Sequence, residues 1–84
     1  MTSEILIIDD NSDIREILND LIVEAGYSTR LAANYNQALA EIDKKLPDVA
    51  IIDVKLDKGD NDGIELLNHI KKKNKDIPVI IISG

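Results

Sequence analysis

Two spacings of apolar positions alternate along the chain. Ile5-Leu6-Ile7-Ile8 is a short continuous apolar run that ends in Asp9-Asp10, the pattern of a strand buried on both faces, as in a parallel sheet. Ile14, Ile17, Leu18, Leu21, Ile22 and Ala25 then recur at helical spacing. Asp13 and Glu16 form a candidate capping pair and Gly26 suits the far end, which predicts a first helix over residues 13–25. Tyr27 to Ala32, with Arg30 in its middle, reads as an edge strand. Asn34 and Gln37 can cap a second helix whose inner stripe is Tyr35, Leu39, Ile42 and Leu46, with Pro47 as its stop. Val49-Ala50-Ile51-Ile52 is another buried strand, ended by Asp53. A polar loop over 55–63 follows. Asp62 and Glu65 can cap a third helix with Ile64, Leu67 and Ile70 inward, and Lys71, Lys72, Lys73 and Lys75 crowd its C-terminal end, where the helix dipole favours cations. Pro78 opens a last strand, Val79 to Ile82.

The order β-α-β-α-β-α-β, with short connections and no internal repeat, predicts an α/β fold, a doubly wound parallel sheet with helices on both faces. Ligands of such sheets sit beyond the carboxyl ends of the strands. That directs attention to Asp9, Asp10, Asp53, the loop after it, and Ser83. The last strand has no helix after it, so its apolar side chains are expected to lack cover. Residues 1–84 are accordingly read as a fragment that begins at a natural N-terminus and breaks off after its fourth strand.

Composition narrows the chemistry. The chain has no cysteine, which removes disulfides, thiolate zinc sites and a cysteine nucleophile. Its one histidine, His69, excludes a histidine-pair site and reads as a solvated helix residue rather than a phosphorelay histidine. Sixteen acidic residues against ten basic give a formal charge of −6, which argues against direct nucleic-acid contact. Tyr27 and Tyr35 are the only aromatics, too few for base stacking; Tyr35 fits a core stripe. No apolar run has the ~20 residues of a membrane span, and no signal peptide is visible, so a cytoplasmic location is expected. The lysine run reads as a solvated helix end, and Asp57, Asp60 and Asp62 only weakly resemble a calcium loop.

Taken singly, an Asp after a strand is ordinarily a helix cap or a turn former. Three of them, Asp9, Asp10 and Asp53, at the ends of two neighbouring central strands favour chemistry instead. Like charges brought close repel, which raises a pKa or lowers stability. A hard divalent cation, Mg²⁺ or Mn²⁺, relieves that repulsion with oxygen ligands alone. A carboxylate beside such an ion can attack phosphorus and become an acyl phosphate.

At this point Ile7-Ile8-Asp9-Asp10-Asn11, Ile51-Ile52-Asp53-Val54-Lys55-Leu56, Asp62-Gly63-Ile64-Glu65-Leu66-Leu67 and Pro78-Val79-Ile80-Ile81-Ile82-Ser83-Gly84 stand in order across the whole chain. The sequence resembles the receiver domain of two-component response regulators, a flavodoxin-like (CheY-like) fold. The resemblance implies strand order 2-1-3-4, Asp53 as phosphoacceptor and a phosphohistidine on a sensor histidine kinase as donor. It implies Mg²⁺ held by Asp9, Asp10, Asp53 and the Lys55 backbone carbonyl, and Ser83 as the switch hydroxyl. The loop after Asp53 is about two residues longer than the family's usual one. With the Ile-Ser-Gly ending it looks like the NtrX-type nitrogen-regulation branch, whose members join a receiver to an AAA+ ATPase and a DNA-binding module. The family's fifth strand with its lysine, and its fourth and fifth helices, have no counterpart in these 84 residues. The Lys55 carbonyl can bind metal whatever its side chain does, whereas its ammonium would either lower cation affinity or pair with phosphate.

Other readings remain at this stage. A Mg²⁺-dependent phosphohydrolase with an aspartyl-phosphate intermediate would place a second Asp two residues after the nucleophile, where Lys55 stands. A nucleotide-binding fold would carry a Gly-rich loop after the first strand, where Asp9-Asp10-Asn11 stands. A fragment with an uncovered sheet is also expected to self-associate as a homo-oligomer or strand-exchanged dimer.

Overall fold

The computed structural model describes residues 3–54, 56 and 62–82. Seven elements follow in the expected order: β1 (Glu4–Ile8), α1 (Ser12–Glu24), β2 (Ser28–Ala32), α2 (Tyr35–Lys44), β3 (Val49–Asp53), α3 (Asp62–Lys73) and β4 (Val79–Ile82). The four strands form one parallel sheet in the order β2-β1-β3-β4, so β1 and β3 are the inner strands and Arg30 lies on an edge strand, as expected. The chain steps from β1 outward to β2, then crosses back over β1 to place β3 and β4 on the other side. The point where it changes direction lies between β1 and β3, the place where sheets of this class take their ligands.

Alternation along the inner strands divides the core. Leu6, Ile8, Ala50 and Ile52 are buried with Ala38 and Ile42 of α2, Leu66 and Ile70 of α3, and Leu56 and Ile77 of the connecting loops. Ile5 and Ile7 are buried in β1 outside that cluster, in the period-two pattern that sends alternate residues to opposite faces. Helix α1 packs on β1 and β2, and none of its residues is fully buried. Its predicted inner stripe is therefore only partly correct. Leu18 and Ile22 are half-buried, whereas Ile14, Ile17 and Leu21 are exposed. Ile80 and Ile81 of β4 are exposed as well, which agrees with the expected lack of cover.

Several local expectations need correction. The cap of α1 is Asn11, not the Asp13–Glu16 pair: Asn11 Oδ1 accepts from the backbone N–H groups of Asp13 at 2.9 Å and Ile14 at 3.2 Å. Asn11 has extended backbone, which lets its side chain fold over the first turn. The other end is as read. Gly26 adopts a positive φ of 101°, and the N–H groups of Gly26 and Tyr27 return to the carbonyls of Val23 and Ile22. Asn34 caps α2 through the Gln37 N–H at 2.8 Å, while Gln37 accepts from the Ala33 N–H. Leu46 lies beyond α2 and packs on the core from the loop, because Pro47 disfavours helical backbone in the residue before it. In α3 the buried apolar side chains are Leu66 and Ile70, with Leu67 half-buried and Ile64 exposed; the inner stripe is offset from the predicted one. Asp62 is the first residue of α3 and is buried.

The lysine run is not uniformly solvated. Lys71 Nζ donates to the carbonyls of Lys75 and Ile77 and closes the turn into β4, while Lys73 pairs with Asp43 at 3.4 Å. His69 likewise has a partner: its Nε2 lies 3.0 Å from Asp43 Oδ1 and joins α3 to α2. Tyr35 packs against the core as expected. Among the described residues no helix is long and apolar enough to cross a membrane.

Candidate functional site

The parallel ladders bring the acidic residues together. Ile8 of β1 pairs with Ile52 of β3, so Asp9 and Asp53, each one residue further on, stand level at the carboxyl edge of the sheet. Adjacent strands are about 4.8 Å apart. The Asp9 N–H donates to the Ala32 carbonyl at 3.1 Å, one rung past the end of the β1–β2 ladder. Asp53 is paired in register with Ile82. Asp10 extends from the following turn and is exposed, whereas Asp9 and Asp53 are buried, at 3% and 8% exposure.

One carboxylate oxygen from each of Asp9, Asp10 and Asp53 lies within 4.8 Å of the others. Among the described residues this is the one such group of three metal-ligating side chains. Burial raises the Asp9 pKa above its ordinary value of 3.8; the Asn11 N–H opposes that, and the charges of Asp53 and then Asp10 add to it. Asp9 also has a local structural role, since its Oδ1 accepts the Asn11 N–H at 2.9 Å. The turn-forming reading of this residue is therefore met, and the same carboxylate also stands in the acidic cluster. An all-oxygen set of crowded carboxylates fits a hard divalent cation and does not suit a soft one.

Two further residues hold the site's frame. Arg15 of α1 reaches back so that its Nη1 donates to the Asp9 carbonyl at 2.6 Å. Gly63 of α3 donates its N–H to the Val54 carbonyl at 3.2 Å and lies against the main chain of Asp53. Neither role was read from the sequence. Gly63 carries a signal, because a glycine in the first turn of a helix is unfavourable unless something approaches closely. Arg15 carries none that spacing alone reveals. Lys55, Ser83, Asp57 and Asp60 lie outside the described residues.

A sequence profile of the response regulator receiver domain matches residues 5–84. The chain belongs to the response regulator receiver family. It is 39% identical over 84 residues to the nitrogen assimilation regulatory protein NtrX of Azorhizobium caulinodans, covering all of this chain and 18% of that protein. It is 41% identical over 84 residues to sporulation initiation phosphotransferase F of Bacillus subtilis, covering 66% of it. The crystal structure of the receiver domain of NtrX from Brucella abortus matches with a TM-score of 0.85 and 38% identity over 95% of this chain and 67% of that one. The chain thus spans less than a fifth of the NtrX protein it matches and about two thirds of the shorter relatives. Receiver domains are the phospho-accepting signalling modules of two-component response regulators, which interact with sensor histidine kinases. This receiver chain has the family's parallel sheet and an acidic cluster at the point where the sheet changes direction.

Proposed function

We propose that this chain is the N-terminal part of a receiver that takes a phosphoryl group onto Asp53 from a phosphohistidine of a sensor histidine kinase. The observation that carries the reading is the convergence of Asp9, Asp10 and Asp53 at the carboxyl edge of the two inner strands. In the transfer an Asp53 carboxylate oxygen forms the new P–O bond as the P–N bond to the donor imidazole breaks. The imidazole nitrogen keeps that electron pair and takes a proton from solvent. The products are an acyl phosphate and a neutral histidine.

Asp9, Asp10 and Asp53, with the Lys55 carbonyl, would hold Mg²⁺, and Mn²⁺ has the same donor preference. Such an ion supplies charge screening between the carboxylate and the phosphoryl oxygens. The protein's own contribution is placement. The β1–β3 ladder sets the separation of Asp9 and Asp53, and burial of Asp53 limits the water that would compete with it for the incoming phosphoryl group. The Ser83 hydroxyl is the group proposed to report the phosphorylated state. The output is proposed to be transcriptional, in nitrogen regulation, and the protein cytoplasmic; the similarity to NtrX proteins supports this.

The test is intact mass after incubation with Mg²⁺ and acetyl phosphate, beside Asp53→Asn. The expected result is an acid-stable, base-labile gain of one phosphoryl group on the wild type alone. An adduct on both chains, or on neither, overturns the assignment of Asp53 in this chain.

A further inference from the structure

Arg15 stands one turn into α1 and is half-buried. Arginines on partly exposed helices commonly extend their guanidinium into water. This one turns back along the helix, and its Nη1 donates to the Asp9 carbonyl at 2.6 Å, a short charge-assisted bond. The carbonyl belongs to the peptide unit that joins Asp9 to Asp10. Asp9 is held in two other places: its N–H by the Ala32 carbonyl at 3.1 Å and its carboxylate by the Asn11 N–H at 2.9 Å. The Arg15 bond acts on the third, the peptide plane from which Asp10 departs.

From this geometry we infer that Arg15 is a positioning residue for cation binding. It locks the Asp9–Asp10 peptide so that both carboxylates converge with Asp53. The inference rests on reading the acidic cluster as a divalent-cation site. It is distinct from a charge effect, and the two have opposite signs. A nearby positive charge repels a cation, so removing it for electrostatic reasons alone would tighten binding. Removing a group that orients metal ligands loosens it, commonly about 10-fold or more.

The experiment is a Mg²⁺ titration of the ¹⁵N-labelled chain followed through its backbone amides. Wild type, Arg15→Ala and Arg15→Lys are compared, each with a metal-free melting curve. The expected result is binding about 10-fold weaker in Arg15→Ala and largely restored in Arg15→Lys, whose ammonium can reach the same carbonyl. Should Arg15→Ala melt far below the wild type, Arg15→Met keeps the apolar stem and takes its place. Unchanged or tighter binding in the alanine or methionine variant overturns the inference while leaving the cation site intact. A loss that lysine does not restore also overturns it. A wild type with no Mg²⁺ response removes the cation site itself, and the positioning role with it.

Discussion

Gly63 presses its Cα against the carbonyl of Asp53. A Cβ at position 63 would stand 2.5 Å from Asp53 O and 2.7 Å from Val54 Cα. Both obstacles are backbone, so neither can swing aside, and α3 would have to move off the end of β3. Alanine is ordinarily the better helix former by about 1 kcal/mol. Here Gly63→Ala is expected to lower stability by about 1–3 kcal/mol, as overpacking does, and to slow phosphorylation of Asp53. Urea denaturation and the rate of adduct formation check this. An alanine variant as stable as the wild type would show that the contact exerts no constraint.

Charge crowding predicts a second effect. Without metal, Asp53→Asn is expected to raise stability by about 1 kcal/mol, because it removes one of three converging carboxylates. Added Mg²⁺ should stabilise the wild type more than the variant. Calorimetry with and without the ion reads both changes. A metal-free variant that melts at or below the wild type contradicts the claim of crowding.

The raised Asp9 pKa makes stability depend on pH in a set direction. A carboxyl whose folded pKa is above its unfolded value of 3.8 favours folding below pH 3.8, and that contribution disappears as pH rises through the folded pKa. At pH 7 the metal-free Asp9→Asn variant should therefore melt above the wild type, with its advantage shrinking as pH falls toward 3.8. Asparagine keeps an acceptor for the Asn11 N–H. Asp43 runs the other way. The His69 hydrogen bond, and then Lys73, lower its pKa, so its contribution is present above pH 3.8 and is lost as pH falls through the lowered value. Melting curves between pH 3 and 7 separate the two. An Asp9→Asn advantage that is flat across this range would count against a raised Asp9 pKa.

Arg30 ties the edge strand to its neighbours. It bonds Glu4 Oε1 at 2.9 Å, Glu41 Oε1 at 3.1 Å, and the carbonyls of Glu41 at 2.9 Å and Lys45 at 2.6 Å. At 17% side-chain exposure it is far from a loose surface pair. Arg30→Met is expected to cost about 2–3 kcal/mol, since it strands partly buried acceptors. The same change in a Glu41→Gln background should cost less. Additive losses in denaturation midpoints would mean that the groups act independently.

The parallel sheet and the acidic edge were legible because they rest on period, while the strand order came from the resemblance to receiver domains. Ile5–Ile8 and Val49–Ile52 are unbroken apolar runs, and each ends in aspartate. The details that failed depend on choices between near-equal neighbours. Asn11, Ser12 and Asp13 are all good caps, and the backbone at Asn11 decided among them. Ile64, Leu66 and Leu67 offer two overlapping stripes, and the close approach of Gly63 to β3 fixes which one faces inward. The pairings of His69 with Asp43 and of Arg15 with the Asp9 carbonyl need tertiary geometry; no spacing along one helix encodes them.

The β1–β3 junction also sets an order in time. Glu4 and Asp48, 44 residues apart, bond at its start, and Asp9 and Asp53 meet only once that long loop has closed. Helices can form locally, but a pairing between such distant residues comes late because closure entropy must first be overcome. A chain leaving the ribosome therefore exposes Asp9 and Asp10 well before their third partner has emerged. Until β3 docks beside β1 the nascent protein has two of the three carboxylates and no cluster, so the proposed acceptor site is assembled last, by the slowest contact in the sheet.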